Sequence, residues 1–361
     1  MGECIAATPL IKALKERNPK QTILVTTTTS TGAEQISKLG ELVVHRYMPI
    51  DFSFAVKRFL EKTQPKQMLI IETELWPNTL DEVYRAGIPI IIVNARLSEK
   101  SCNNYAKVQP LFNLMLPCIT KVLCQTESDA NRFERLGVEK KKLAVTGSIK
   151  FDIQISNEVR EKSKRLREEL GQHRPVWIAA STHKGEDEQV LAAHQQMLKS
   201  HPNALLILVP RHPERFDSIY DLCQQLNLKT IRRTARIDIT DSTQVYLGDT
   251  MGEMILLLGA ADVCFMGGSL VGDKVGGHNV LEPAALGIPI ITGPSYFNFK
   301  EMTESLIALG ALKQIQNEQE LASCLIQIIQ ESAISEEMSR NAEAFVKQNL
   351  GAVGKTMNCI R

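Results

Sequence analysis

The sequence predicts an α/β protein built from two Rossmann-like domains. At 361 residues the chain exceeds a usual single core, so two domains of roughly 150 to 200 residues are expected. Short apolar strand patterns alternate with helical patterns, as in parallel, doubly wound sheets. The composition shifts at residues 147–156, and a highly charged helical stretch follows at 157–170. We therefore predict domains at 1–150 and 151–345, with a C-terminal helix at 346–361.

The first half opens with an amphipathic helical pattern at residues 4–17, where Pro9 should cause a kink or mark a late start. Six strand patterns alternate with helices after it, at 22–27, 43–47, 67–72, 88–94, 121–125 and 143–146. They predict one parallel, doubly wound sheet. A helix that opens an α/β domain normally follows a strand, so we interpret this domain as lacking a first strand. The loss would expose apolar faces and unpaired backbone groups and lower stability.

The second half repeats the alternation and predicts a second Rossmann-like sheet. Its strand patterns lie at 176–180, 205–209, 244–247, 262–266, 288–292 and 312–315, each followed by a helical pattern. The tail from residue 335 to residue 361 is helical in pattern. We expect this tail to pack on the first domain.

The composition excludes several classes of function. A hydrophobic content of 43% with 23% charged residues is typical of a globular protein, and a net charge of +1 argues against nucleic-acid binding through bulk electrostatics. The eight cysteines are scattered without metal-ligand spacing, which favours reduced core thiols and no metal. No apolar run approaches the ~20 residues that span a bilayer.

The most informative motif is Gly-Gly-His-Asn-Val-Leu-Glu-Pro at residues 276–283. Its glycines let the backbone approach a ligand, Asn279 can cap the helix that starts there, and Glu282 lies in the first helical turn. A carboxylate suits the two hydroxyls of a ribose, and N–H groups here and at 267–269, including Gly268 and Ser269, suit a phosphate. The motif predicts a nucleotide half-site. The alternative is a capped, glycine-rich loop without a ligand.

Other loops that follow strands of the second half are rich in glycine, hydroxyl and basic side chains. They should line a cleft between the two domains. Arg211 could clamp a phosphate or form a surface ion pair with Glu214. Glu253 could bind a ligand or only compensate a helix dipole. The histidines lack metal-ligand spacing, so capping or core hydrogen bonds are expected of them: His183, His212 and His278.

Three residues of the first half could act in catalysis. Glu3, beside a glycine at a helix start, could be a general base or only compensate the helix dipole. Glu72 ends an apolar strand, which favours burial or function over a solvated face. Lys150 lies at the domain junction, where it could meet a substrate or remain a solvated linker lysine.

Eight ordered motifs give the chain a specific resemblance to a known family. They are Gly2-Glu3 and the segments at 72–78, 94–98, 146–152, 209–216, 248–253, 267–269 and 277–282. Together they resemble the 3-deoxy-D-manno-octulosonic acid (Kdo) transferases of Gram-negative lipopolysaccharide synthesis. The resemblance runs from Gly2 to about residue 350.

The resemblance implies a GT-B glycosyltransferase, with two Rossmann-like domains facing a central cleft. Its implied reaction moves Kdo from CMP-Kdo to the 6′-hydroxyl of lipid IVA with inversion, at the cytoplasmic face of the inner membrane, without a cofactor. Glu3 matches the catalytic base, and Glu72 and Lys150 match positions that stabilise the transition state. The CMP-binding segments match Pro210, Arg211, Met251, Gly252, Glu253, Asn279, Val280, Leu281 and Glu282.

The start of the chain departs from the family pattern, in which a membrane anchor and a first strand precede Gly2-Glu3. We therefore expect low activity, which a turnover close to that of a full-length form would contradict. Lipid contact is expected from the first domain through Lys57, Arg58, Phe59 and Leu60, although a solvated amphipathic helix is the alternative. Competing hypotheses are a transferase or epimerase that uses UDP-sugars, and a nucleotide-binding remnant without activity.

Overall fold

A computed structural model describes residues 2–153, 155–235 and 237–360 of the chain. The chain forms two compact units. The first comprises Met1–Asp152 with Asn349–Arg361, and the second comprises Ile153–Gln348. The division falls close to the domain boundary that the sequence predicts at residue 150.

The first unit alternates helices and strands as expected, and each of the six predicted strands is present. Its elements are α1 (Gly2–Arg17), β1 (Leu24–Thr27), α2 (Ser30–Ser37), β2 (Val44–Tyr47), α3 (Ser53–Thr63), β3 (Met68–Ile71), α4 (Pro77–Arg85), β4 (Ile90–Ala95), α5 (Glu99–Lys107), α6 (Gln109–Met115), β5 (Lys121–Cys124), α7 (Glu127–Arg135) and β6 (Leu143–Val145). Helix α1 contains Pro9 in its interior, so the expectation of a late start is wrong.

The strands of the first unit form two parallel sheets, and the prediction of one continuous sheet is wrong. Strand β1 pairs with β2, and a separate sheet has the order β3-β4-β5-β6. A groove of about 1410 Å³ borders both sheets, with apolar lining from α1, β1 and β3. Among the described residues, β1 and β3 each pair on one side only. Both strands contribute residues to the lining of the groove.

The second unit has one seven-stranded parallel sheet. Its elements are α8 (Asn157–Leu170), β7 (Val176–Thr182), α9 (Asp187–Ser200), β8 (Leu205–Pro210), α10 (Phe216–Gln225), β9 (Thr230–Arg232), β10 (Val245–Leu247), α11 (Met254–Leu258), β11 (Val263–Met266), α12 (Leu281–Ala285), β12 (Ile290–Thr292), α13 (Lys300–Ala308), β13 (Leu312–Gln314), α14 (Glu318–Gln330) and α15 (Ser332–Asn349). The strand order is β13-β12-β11-β7-β8-β10-β9. The edge strand β9 is the one strand of this sheet that the sequence patterns do not predict.

The central strand β7 shows why these strands read as continuous apolar runs. Val176 and Ile178 pack into one buried cluster, and Trp177 and Ala179 pack into another cluster on the opposite face. Successive side chains of a strand point to opposite faces, so a sheet covered on both sides needs apolar residues throughout. Helices on the two faces supply that cover.

The C-terminal helix α16 (Ala352–Cys359) belongs to the first unit, whereas residues 335–348 of the predicted tail, in α15, belong to the second unit, so the prediction holds only for the end of the tail. Asp152 accepts hydrogen bonds from the backbone N–H groups of Gly351 and Val353 through its two carboxylate oxygens. Arg17 of α1 donates to the carbonyl oxygen of Met357 at 3.0 Å. Across the described residues, no helix is both long and apolar enough to cross a membrane.

The buried His194 should make the second unit sensitive to acid. Its Nδ1 accepts from the indole N–H of Trp177 at 3.1 Å, and its Nε2 lies 2.9 Å from the carbonyl oxygen of Gln244, a pattern that fits the neutral ring. Burial lowers the pKa of His194 to about 4, opposed by the hydrogen bond to Gln244. Because the unfolded chain binds this proton more readily, the stability is present above about pH 6.5 and lost as the pH falls toward 4, by about 3 kcal/mol.

Urea unfolding at pH 7.5 and at pH 4.5 measures this effect. The free energy of unfolding of the wild-type protein should fall by about 3 kcal/mol more than that of His194→Gln, which cannot titrate. A His173→Gln control replaces an exposed histidine of the same unit and should retain the wild-type difference. Equal losses in wild type and His194→Gln would contradict the prediction.

Candidate active site

Two of the three predicted catalytic residues form an ion pair. Glu72 directly follows β3, and Lys150 lies in a short helical turn at Ile149–Phe151. Lys150 Nζ is 2.7 Å from Glu72 Oε1, and each side chain is about a quarter exposed. The fold therefore joins a carboxylate and an amine that are far apart in the sequence.

Asn94 holds the turn that carries Lys150, a role that the sequence analysis misses. The residue is fully buried near the end of β4, and its Oδ1 accepts a hydrogen bond from the N–H of Ile149 at 3.1 Å. The neighbouring Val93 accepts from the N–H of Glu72 at 2.8 Å. The end of β4 thus holds both the backbone at Glu72 and the backbone next to Lys150. The motif at 94–98 is visible in the sequence, but its long-range partner is not.

The third predicted residue, Glu3, lies in the first turn of α1. Burial raises the pKa of Glu74, and the negative charges of Glu3 and Glu72 raise it further. The three carboxylates therefore share one electrostatic environment. Lys150 pairs with Glu72, one member of this acidic group. Glu74 belongs to the 72–78 motif, but no local pattern distinguishes it from the other residues of that motif.

The second unit gathers histidines at the carboxyl ends of its strands. His183 follows β7, and its Nε2 lies 2.8 Å from Nε2 of His278, with the rings stacked at 5.0 Å. His212, which follows β8, packs edge-on against His183 at 5.3 Å. Burial lowers the pKa of His183 to about 4 and that of His278 to about 3, and neighbouring cations add to both shifts. Within the described ranges, no cluster of histidine, cysteine and acidic residues could hold a metal ion.

The motif at 276–283 starts a helix, with one correction to its cap. Helix α12 has Val280 at its N-cap position, so the expectation that Asn279 is the N-cap residue is off by one position. Asn279 Oδ1 still accepts from the N–H of Leu281 at 3.1 Å, and its Nδ2 donates to Glu282 at 3.2 Å. Glu282 lies in the first turn as predicted. Burial raises its pKa, while the Asn279 hydrogen bond and the charge of Arg211 oppose that rise.

The backbone N–H groups predicted to hold a phosphate have another partner. Gly268 and Ser269 donate to the carboxylate of Glu186, at 2.7 and 3.0 Å. The same carboxylate accepts from the N–H groups of Leu270 and His183. Glu186 is fully buried, and four donors compensate its charge. The expectation of a phosphate contact through Gly268 and Ser269 N–H groups is therefore wrong for this structure.

Glu186 escaped the sequence analysis because an acidic residue before a helix is common. Its four donors come from two loops that the fold brings together. Gly268 still shapes the site, since its φ is +71° and a Cβ there would lie 2.9 Å from His278 Cδ2. We conclude that the loop at 267–269 shapes the site through its position and because Gly268 has no side chain that would collide with His278.

Replacing Glu186 by glutamine should destabilise the second unit by about 3 kcal/mol. The amide nitrogen would face backbone N–H groups, so two of the four donors would lose their acceptor. Urea unfolding of Glu186→Gln measures this loss. The control is Glu188→Gln, which changes an exposed carboxylate in the first turn of α9, directly after Glu186, and should remain near wild type. A Glu186→Gln protein as stable as the control would contradict the inference that the Glu186 carboxylate stabilises these loops through its four N–H donors.

In the predicted CMP-binding segment at 251–253, the carboxylate of Glu253 is already bound by an arginine of the same unit. Arg233 donates to both oxygens of Glu253 at 2.6 and 2.8 Å. These hydrogen bonds are the main reason why the pKa of Glu253 falls to about 2, and a hydrogen bond from Thr250 contributes. Met251 is exposed and Gly252 has a φ of +83°. Glu253 therefore holds the loop, and Met251 and Gly252 form its accessible tip.

Arg211 keeps its charge available. Its predicted alternative partner, Glu214, lies 3.8 Å from His212 Nδ1 instead. Nearby arginines are paired, since Arg215 contacts Asp187 and Arg232 contacts Asp249. In the part of the chain that the structure describes, Arg211 takes part in no ion pair. It follows Pro210, the last residue of β8, so it lies at the same sheet edge as His183 and is half-buried.

Comparisons of sequence identify the family. A family model described as 3-Deoxy-D-manno-octulosonic-acid transferase (kdotransferase) matches residues 1–153, and one described as Glycosyl transferases group 1 matches residues 178–345. The 3-deoxy-D-manno-octulosonic acid transferase of Haemophilus influenzae is 40% identical, over all of this chain and 84% of its own length. The Bordetella pertussis enzyme of the same name is 34% identical, over all of this chain and 85% of its own length.

Solved structures agree with this result. The C-terminal CMP-Kdo binding domain of WaaA from Acinetobacter baumannii is 38% identical, with a TM-score of 0.51 over 54% of this chain and 100% of that domain. UDP-GlcNAc 2-epimerase from Neisseria meningitidis has a TM-score of 0.56 over 99% of this chain and 96% of its own, but at 14% identity it supports the fold alone. The chain is a glycosyltransferase of the GT-B fold and belongs to the 3-deoxy-D-manno-octulosonic acid (Kdo) transferases.

Proposed function

We propose that this enzyme transfers Kdo from CMP-Kdo to the 6′-hydroxyl of lipid IVA, with inversion and release of CMP, in lipopolysaccharide synthesis. The observation that carries the proposal is Arg211 at the sheet edge of the second unit, which forms no ion pair among the described residues and acts electrostatically on the half-buried Glu282. A solved domain that binds CMP-Kdo is 38% identical to this part of the chain, which supports the choice of donor.

In the second unit, the groups around Arg211 suit a nucleotide. Arg211 pairs with the phosphate, and Glu282, oriented by Asn279, accepts from the ribose hydroxyls. The accessible tip at Met251 and Gly252 lies against the base. Because the Gly268 and Ser269 N–H groups are used by Glu186, the phosphate depends on side chains for its contacts.

In the first unit, the acidic group supplies the base. Glu3 removes the proton of the acceptor hydroxyl, whose oxygen forms a bond to the anomeric carbon of Kdo. The bond from that carbon to the phosphate oxygen breaks, and CMP leaves with the electron pair. Glu72 stabilises positive charge that develops on the sugar, and Lys150 stabilises negative charge on the departing phosphate or on the Kdo carboxylate. Their ion pair holds both side chains in place before substrates bind.

The acceptor is a lipid, and the first unit exposes a surface that suits it. The side chains of Ile50, Phe52 and Phe54 are 74%, 56% and 76% exposed, and the two phenylalanine rings stack at 5.9 Å. Two exposed basic residues follow on α3, Lys57 and Arg58. Apolar side chains beside cations suit an anionic membrane face, which supports a location at the cytoplasmic face of the inner membrane.

The structure changes the apolar part of the lipid contact that the sequence suggests. Phe59 and Leu60 are half-buried, so they are less available than the sequence pattern implies. We therefore assign the apolar part of the lipid contact to the exposed aromatic residues before them, Phe52 and Phe54.

Release of CMP from CMP-Kdo in the presence of lipid IVA tests the proposed function. CMP release should require lipid IVA, and Arg211→Met should weaken CMP binding by at least about tenfold. Release of UDP from a UDP-sugar, with no reaction of CMP-Kdo, would favour a UDP-dependent transferase or epimerase. If the protein bound CMP but never released CMP from CMP-Kdo, it would be a nucleotide-binding remnant without activity. Either outcome would overturn the proposal.

A further inference from the structure

The close pair formed by His183 and His278 has no role in the reaction described above. The two Nε2 atoms are 2.8 Å apart, a hydrogen-bond distance, and the rings are nearly parallel at 10°. The pair lies at the sheet edge that carries Arg211, and Gly268 leaves room for it. Arg211 forms no ion pair among the described residues, and its positive charge disfavours protonation of the two imidazoles.

Hydrogen-bond chemistry defines the state of the empty pair. One Nε2 must carry a proton and the other must accept it, so the donor ring has a bare Nδ1 and the acceptor ring carries its proton on Nδ1. An added proton goes to that bare Nδ1. The charged pair then has an N–H group on each outer nitrogen and keeps the shared Nε2 hydrogen bond. The pair can thus gain a donor without moving.

The surrounding charges keep the pair neutral while the site is empty. The cationic or basic groups that act on it are His212, Arg211 and Arg215, all from the segment after β8. The carboxylates packed nearby are engaged elsewhere, because Glu186 accepts four backbone N–H groups and Asp187 pairs with Arg215. Glu282 interacts electrostatically with Arg211 and is hydrogen-bonded to Asn279. A bound anion would add the negative charge that the protonated pair needs.

We propose that His183 and His278 form a proton-accepting pair in the donor site, which takes up one proton from solvent when an anionic oxygen binds beside Arg211. The inference rests on the proposed function of this site. The charged pair donates to the bound oxygen, which is a phosphate oxygen or the carboxylate of the sugar acid. Burial and nearby cations hold the pKa of both empty rings at about 4 and about 3, so the empty pair is neutral near pH 6.5. Anion affinity should therefore fall as the pH rises.

Calorimetric titration in buffers of different ionisation enthalpy measures the proton uptake. The probe is the methyl phosphodiester of CMP, because CMP itself titrates near pH 6. Uptake should approach about one proton per bound diester as the pH falls from about 7 to about 5.5. Free Kdo as the second probe distinguishes the carboxylate from the phosphate, and uncharged cytidine should cause no uptake.

The double variant His183→Gln, His278→Gln should bind the diester without proton uptake and with an affinity that no longer depends on pH. A His173→Gln control, exposed and outside the pair, should behave as wild type. Imidazole nitrogen NMR spectra of the wild-type protein at pH 6.5 should show the pair gaining a proton when the diester is added, a readout that requires no variant. Binding without uptake in wild type would overturn the inference alone. A complete failure to bind the diester would overturn the proposed donor site and the inference with it.

Discussion

Glu3→Gln is expected to lower the rate of Kdo transfer by about 10²- to 10⁴-fold while leaving CMP affinity unchanged. The substitution keeps the size and most of the polarity of the side chain but removes its ability to accept a proton. Glu3 lies in the first turn of α1, close enough to affect the pKa of Glu74. Single-turnover CMP release with lipid IVA measures the chemical step, and CMP titration measures donor binding.

Glu16→Gln is the matched control for the base. It changes an exposed carboxylate of the same helix and should retain the wild-type rate. Circular dichroism of both variants checks that α1 still folds. If Glu3→Gln transferred Kdo as fast as Glu16→Gln, Glu3 would only compensate the helix dipole and another residue would be the base. Glu74, whose pKa is raised by burial, would be the next carboxylate to replace.

Lys150→Met is expected to lower the transfer rate by about 10²-fold, the size of effect seen when one charged or hydrogen-bonding group is removed from a transition state. The substitution keeps the long apolar stem of the side chain and removes the ammonium group that lies 2.7 Å from Glu72. Since both side chains are only about a quarter exposed, solvent screens their charges less than on an open surface. The rate of CMP release with saturating donor measures the effect.

A double-substitution cycle on the transfer rate tests whether Glu72 and Lys150 act together. Glu72→Gln, Lys150→Met and the double variant should show effects that do not add, because the two groups share one charge interaction. The control pair is Lys141 and Glu139, which are also 2.7 Å apart but are both more than half exposed. Lys141→Met should leave the rate near wild type. Additive effects at Glu72 and Lys150, or an unchanged rate in Lys150→Met, would contradict the prediction.

Strand positions in this protein can be predicted from local pattern. A buried strand such as β8 is apolar throughout, because helices cover both faces of its sheet. The short strand β9 escapes prediction, since its three residues are only partly buried and carry no distinct pattern. The two-sheet arrangement of the first unit also escapes prediction, because pairing depends on neighbours that are distant in sequence.

In the candidate site too, the loops can be predicted from local sequence, whereas the partners of their residues cannot. Motifs at 72–78, 94–98 and 276–283 mark the loops, because glycine, carboxylate and basic residues after apolar strands are a local signal. Partners are not local. Glu186 lies 82 residues before Gly268, whose N–H group donates to it, and His183 lies 95 residues before His278. The expected phosphate contact through Gly268 and Ser269 was wrong for this reason.

The sequence by itself determined the α/β class, nearly all of the strands, and the family through its ordered motifs. These depend on periodicity and on residue types in short segments, which local physical chemistry controls. Only the tertiary structure decided that Lys150 pairs with Glu72, that Asn94 fixes their turn, that Glu186 occupies the N–H groups near Gly268, and that two imidazoles meet beside Arg211. Hydrogen bonds and charges act over a few ångströms of space, and the sequence does not state which distant residues the fold will bring within that range.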